Sequence, residues 1–209
     1  MKNIILLLVL FPLITFSQEY TKEMVKKGVD TTKYVPKGLQ IGEEAPQITG
    51  ASVDGQLINS KQILKGKKIV LIFYRGKWCP VCNKYLNNLN DSLSYITSKN
   101  TEVIVVGPET FDNAEKMVDK TKGDFVLVPD TSFKILADYD VLFHVTKKYQ
   151  GKINTFLMTD IAKNNNQEEA ILPVPATYII GQDGKIKWRQ FDYNYGIRAS
   201  AREIINQLE

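Results

Sequence analysis

The chain has 209 residues, 44% hydrophobic and 24% charged, with 27 lysines and arginines against 23 aspartates and glutamates, one histidine and two cysteines. This is the composition of one soluble globular domain, and a net charge of +4 dispersed over both signs excludes the concentrated basic face of a nucleic-acid binder. Two cysteines cannot build a disulfide-dense scaffold, and with one histidine they cannot complete a four-ligand structural zinc site unless carboxylates help.

Lys2 precedes an apolar run from Ile4 to Ile14, followed by Thr15, Phe16 and Ser17, with small residues at the two positions a signal peptidase reads. Residues 1–17 therefore read as a signal peptide cut after Ser17. The run is shorter than the roughly 20 apolar residues that span a bilayer, so no membrane span is expected after cleavage. Export to the periplasm or medium would place both cysteines where disulfides persist. Residues 18–40 are polar, with Met24, Val25, Val29 and Tyr34 sparsely spaced, and read as an N-terminal extension over a domain of residues 41–209.

Asp54-Gly55 predicts a hairpin turn between short strands near Ile48 and Val53. Lys68 to Tyr74 is a β-branched and aromatic run suited to a strand buried on both faces. Val81, Tyr85, Leu86, Leu89, Leu93 and Ile96 recur at helical spacing and predict one amphipathic helix ending near Asn100. Val103 to Val106 reads as a strand and Asp112 to Lys122 as a helix, with Asp112 and Glu115 in capping-box positions. Strand, helix, strand in this order implies a parallel pair with a crossover. Phe125 to Val128 follows as a strand, then a short helix after Asp130. The polar stretch from Gly151 to Glu169 reads as a surface insertion or lid. Thr177 to Ile180 and Ile186 to Trp188 flank an Asp183-Gly184 turn, and Ser200 with Glu203 caps a last helix.

The informative stretch is Phe73-Tyr74-Arg75-Gly76-Lys77-Trp78-Cys79-Pro80-Val81-Cys82, where a buried strand ends and a helix begins. Pro80 suits the first helical position, which makes Cys79 the N-cap and Cys82 a first-turn residue. Both sulfurs then lie at the positive end of the helix dipole, where free N–H groups favour a thiolate. Arg75 and Lys77 add nearby positive charge. A structural disulfide here would constrain little chain entropy, since it closes over only two residues.

Trp78-Cys79-x-x-Cys82 at a strand-to-helix junction resembles the active site of the thioredoxin superfamily, and FYRGKWCPVC is similar to the peroxiredoxin-like branch of the AhpC/TSA family. Gly42 with Ala45-Pro46, Val105 to Pro108, the segment Val174 to Ile180 with Asp183 to Ile186, and a tail holding Asp192, Tyr193 and Arg198 extend the likeness over most of the chain. The resemblance implies an α/β thioredoxin-like fold, with a central mixed β-sheet flanked by helices, carrying the N-terminal extension and the surface insertion. It implies catalysis by Cys79 and Cys82, supported by Arg75, Trp78 and Pro175, with Val174-Pro175 in the cis form facing the cysteines. No cofactor and no metal are expected.

Peroxiredoxins carry Pro-x-x-x-Thr-x-x-Cys. On that motif Arg75 takes the place of the Pro, Cys79 of the Thr and Cys82 of the peroxide-attacking Cys, while Pro175 stands where the motif's distant Arg would be. The implied activity is antioxidant reduction of hydroperoxides, with a thioredoxin-like electron donor restoring the dithiol. A TlpA-like protein disulfide reductase with Cys79 as nucleophile is the alternative, and the two assign opposite roles to the same sulfurs. A non-enzymatic domain, or a Sco-type copper chaperone using His144 with the cysteines, are further alternatives; copper-binding relatives space their cysteines by three residues and this chain by two.

Overall fold

The computed structural model describes residues 21–209. The expected signal peptide, residues 1–17, lies outside the described residues. The chain opens with helical residues 21–26 and continues through β1 (Thr49–Ala51), β2 (Leu57–Asn59), α1 (Ser60–Ile63) and β3 (Lys68–Phe73). There follow α2 (Pro80–Asn90), α3 (Leu93–Thr97), β4 (Thr101–Gly107), α4 (Phe111–Thr121), β5 (Val126–Pro129), α5 (Lys134–Asp138) and β6 (Leu142–His144). The chain ends with α6 (Lys147–Leu157), α7 (Ile161–Asn164), β7 (Ile171–Pro173), β8 (Ala176–Ile180), β9 (Ile186–Phe191) and α8 (Ala201–Gln207).

The central sheet has the order β5-β4-β3-β8-β9. β3 runs parallel to β4 and β4 to β5, whereas β8 is antiparallel to both β3 and β9, giving the expected mixed sheet. Two two-stranded antiparallel sheets, the β1-β2 hairpin and the long-range pair β6-β7, stand apart from it. β3 is buried on both faces: Val70, Ile72 and Tyr74 pack with Leu86, Leu89 and Ile96, while Ile69, Leu71 and Phe73 pack with Leu136, Tyr139 and Tyr178. Alternation along one strand thus feeds two cores, with each buried aliphatic side chain worth about 1.5–3 kcal/mol. A third apolar cluster joins Met24 and Val29 of the extension to Tyr149, Ile153, Ile161 and Leu172.

The structure departs from the sequence reading in four places. The single helix expected to end near Asn100 is two, α2 and α3, parted at Asp91 and Ser92. The apolar face continues through Leu93 and Ile96, which hides the break from periodicity, while the Asn90 side chain bonds Lys122 O at 3.0 Å and the Asp124 N–H at 3.1 Å. α4 is capped by Thr110, whose hydroxyl accepts from Asn113 N–H, in place of the Asp112/Glu115 box. The polar stretch 151–169 is largely helical, and Ile153 and Ile161 anchor it in the third cluster.

The fourth concerns Val174-Pro175, which is trans, as is every peptide bond among the described residues. Pairing of β7 with β6 and a 2.7 Å bond from Val174 N–H to Val141 O carry the chain extended into β8. Nothing there opposes the trans form, which X–Pro bonds ordinarily prefer by about 0.5–1 kcal/mol.

Candidate active site

β3 ends beneath the segment Arg75 to Trp78, and α2 begins immediately after it. Cys79 is the N-cap of α2 in extended conformation, with Pro80 at the helix start and its Sγ accepting the Cys82 N–H at 3.3 Å. Both cysteines are free and buried, Cys79 at 2% and Cys82 at 0% exposure. The two thiols are close enough to influence each other's ionisation. Gly76 makes the turn possible: its φ is +142°, and a Cβ there would lie 2.5 Å from Trp78 Nε1.

The two sulfurs are electrostatically unequal. Burial opposes ionisation of Cys82, but the Cys79 thiol and the guanidiniums of Arg198 and Arg75 outweigh it, and its pKa falls to about 5. Arg198 Nη2 is 3.3 Å from Cys82 Sγ. Cys79 moves the other way: its thiol donates toward Cys82 and is itself desolvated, so it is held protonated. The Cys79 thiol and the two guanidiniums thus favour the thiolate at Cys82, whereas the first-turn N–H of Cys82 is directed at Cys79 Sγ.

Arg75 is buried. Its Nη2 donates to Tyr149 Oη at 2.9 Å, and its guanidinium lies 5.1, 5.3 and 4.2 Å from the ring centres of Trp78, Tyr149 and Tyr195. Arg75 Nε and Trp78 Nε1 are buried donors with no partner among the described residues. Trp78 packs against both the cysteine-bearing cluster and the third cluster.

A buried carboxylate completes the surroundings. Glu109, on the loop after β4, accepts from Tyr74 Oη at 2.8 Å, Lys77 N–H at 2.7 Å and Asn164 Nδ2 at 3.1 Å. Desolvation pushes its pKa up.

The structure brings Cys79, Cys82, Arg75 and Trp78 together, and Pro175 is buried at the entry to β8. Arg198, Glu109, Tyr149 and Tyr195 also belong to these surroundings and carry no motif signal. Arg198 lies in the tail noted for its likeness to the family, yet nothing in that segment marks it as a cysteine partner. His144 pairs with Glu169 at 2.8 Å and approaches Lys33 Nζ at 3.3 Å, so its polar partners are not the cysteines. Among the described residues no group of three or more histidine, cysteine or acidic side chains could hold a metal, and no helix is long and apolar enough to cross a membrane.

Residues 41–189 match the model of the AhpC/TSA family. The chain is 33% identical over 148 residues to the thiol-disulfide oxidoreductase ResA of Bacillus thuringiensis (strain Al Hakam), covering 71% of this chain and 68% of that protein. It is 27% identical over 124 residues to the peroxiredoxin Bcp of Bacillus subtilis (strain 168), covering 57% of this chain and 78% of that protein. The peroxidoxin BcpB of Mycobacterium tuberculosis shares the fold, with a TM-score of 0.62 at 14% identity over 81% of this chain and 96% of that one.

Proposed function

Because the chain belongs to the AhpC/TSA family and is a thiol oxidoreductase, we propose that it reduces hydroperoxides through a Cys79/Cys82 pair in an exported compartment. The observation that carries the reading is the Arg198–Cys82 contact, which favours a thiolate at the peroxiredoxin position. The Cys82 thiolate attacks one peroxide oxygen; the S–O bond forms, the O–O bond breaks, and the departing oxygen takes a proton to leave as water or an alcohol. Sulfur is oxidised by two electrons to the sulfenic acid. Cys79, protonated beside it, then attacks that sulfur, and its proton leaves with the sulfenic oxygen as water while the disulfide closes. A thioredoxin-like dithiol returns two electrons and two protons. Arg75 Nε, buried and unpaired among the described residues, is a donor suited to a developing oxyanion.

The similarity to ResA favours a second reading, reduction of protein disulfides with Cys79 as the nucleophile. Competition between hydrogen peroxide and a disulfide-bonded protein for the reduced enzyme separates them. Preferential consumption of peroxide supports the first reading, and preferential reduction of the protein disulfide overturns it.

A further inference from the structure

Between β9 and α8 the chain makes a turn that its own polar groups hold. Asp192 Oδ1 accepts Asn194 N–H at 2.7 Å, Asn194 O accepts Ile197 N–H at 2.8 Å, and Ile197 O accepts Gln190 Nε2 from β9 at 3.1 Å. Tyr193 Oη donates to the Pro36 carbonyl and fastens the turn to the N-terminal extension. Tyr195 sits in the middle of this turn, half-buried.

Tyr195 meets both guanidiniums that act on Cys82. Its carbonyl accepts Arg198 Nε–H at 2.8 Å, and Arg198 Nη2 lies 3.3 Å from Cys82 Sγ. Its ring centre is 4.2 Å from the Arg75 guanidinium, closer than the rings of Trp78 at 5.1 Å and Tyr149 at 5.3 Å. Arg75 is buried, so little water competes for its charge, and a ring face counts for more there than at a surface. Its Nη2 has Tyr149 Oη, but its Nε has no partner among the described residues. Ring faces therefore supply much of what holds this cation in place. The sequence separates Arg75 from Tyr195 widely, so the contact is made only by folding.

We propose that Tyr195 is a positioning residue for the cysteine pair: its carbonyl is keyed to Arg198 and its ring seats Arg75, so that one residue registers both guanidiniums against Cys82. This rests on the reading of Cys82 as the attacking sulfur. Both guanidiniums favour the thiolate there, so an Arg75 that loses its seat lowers the thiolate fraction without any change at either cysteine.

The test is an ultraviolet thiolate titration of the reduced full chain in wild type, Tyr195→Phe, Tyr195→Leu and Tyr195→Met, with melting temperature and circular dichroism recorded alongside. Leu and Met keep apolar bulk and the backbone carbonyl but remove the ring face, whereas Phe keeps the face. Loosening one guanidinium should raise the Cys82 pKa by about 1 in the Leu and Met variants, about a tenfold loss of thiolate below both values, and leave it in place in Tyr195→Phe. In an Arg75→Met background, Tyr195→Leu should add no further shift. An unshifted pKa in either folded aliphatic variant, an equal rise in Tyr195→Phe, or a full shift that persists without Arg75 overturns the proposal. The titration needs no oxidant: a shifted pKa supports the seat even where peroxide is not turned over, and turnover with an unshifted pKa in Tyr195→Leu overturns the seat while leaving the peroxidase reading.

Discussion

Arg198 places Nη2 3.3 Å from Cys82 Sγ, across 116 residues of chain, and also donates Nε–H to the Tyr195 carbonyl at 2.8 Å. The contact gives the tail before α8 a chemical task as well as a packing one. An opposite charge at such range lowers an acidic pKa by about 1–3 units. Arg198→Ala should therefore raise the Cys82 pKa from about 5 by about that amount, measured by thiolate absorbance at 240 nm against pH. Arg198→Lys should recover only part of the shift, because an ammonium lacks the planar fork.

The same thiolate ties stability to pH. Cys82 has its folded pKa depressed from 9.0 to about 5, so between those values the unfolded chain binds more protons than the folded one. The reduced protein should become more stable as pH rises through that window and lose the increment as pH falls through about 5. Melting temperatures of wild type against Cys82→Ser across the range check this; the variant should lack the rise.

Glu109 has the opposite sign. Its folded pKa is raised by burial, so its share of stability is full below the ordinary carboxylate range and is lost as pH rises through the folded value. Glu109→Gln should flatten that segment of the stability profile. The amide oxygen of the variant can still accept the Lys77 N–H, so the fold is expected to persist.

Gly76 tests the backbone directly. Gly76→Ala forces a side chain onto a residue at φ +142° and brings its Cβ to 2.5 Å from Trp78 Nε1. Strain of about 1–3 kcal/mol is expected, read as a lower denaturation midpoint together with a shifted Trp78 fluorescence.

The core strands along the chain, the α2 N-cap and the Ser200/Glu203 box were legible because each is a local pattern: β-branched runs, Pro after an N-cap residue, a serine three before a glutamate. The break between α2 and α3 was not, because apolar periodicity passes through it and the cause is a side chain bonding across space at Asn90. The cysteine pair was legible from its spacing beside Trp78 and Pro80. Arg198, Glu109 and Tyr149 were not, since a buried charge is defined by what surrounds it after folding, and isolated Arg, Glu and Tyr residues look like surface. Arg75, named in sequence only as a positive charge near the cysteines, is enclosed by Trp78, Tyr149 and Tyr195, and the two tyrosines come from distant parts of the chain.

If Cys82 meets the oxidant and Cys79 resolves it, the order of attack is readable in single-cysteine proteins. Cys79→Ser and Cys82→Ser variants are exposed to equimolar hydrogen peroxide and trapped with a dimedone-type reagent. A sulfenic acid adduct is expected on Cys82 in Cys79→Ser and none on Cys79 in Cys82→Ser; labelling of Cys79 with an inert Cys82 overturns the peroxidase assignment.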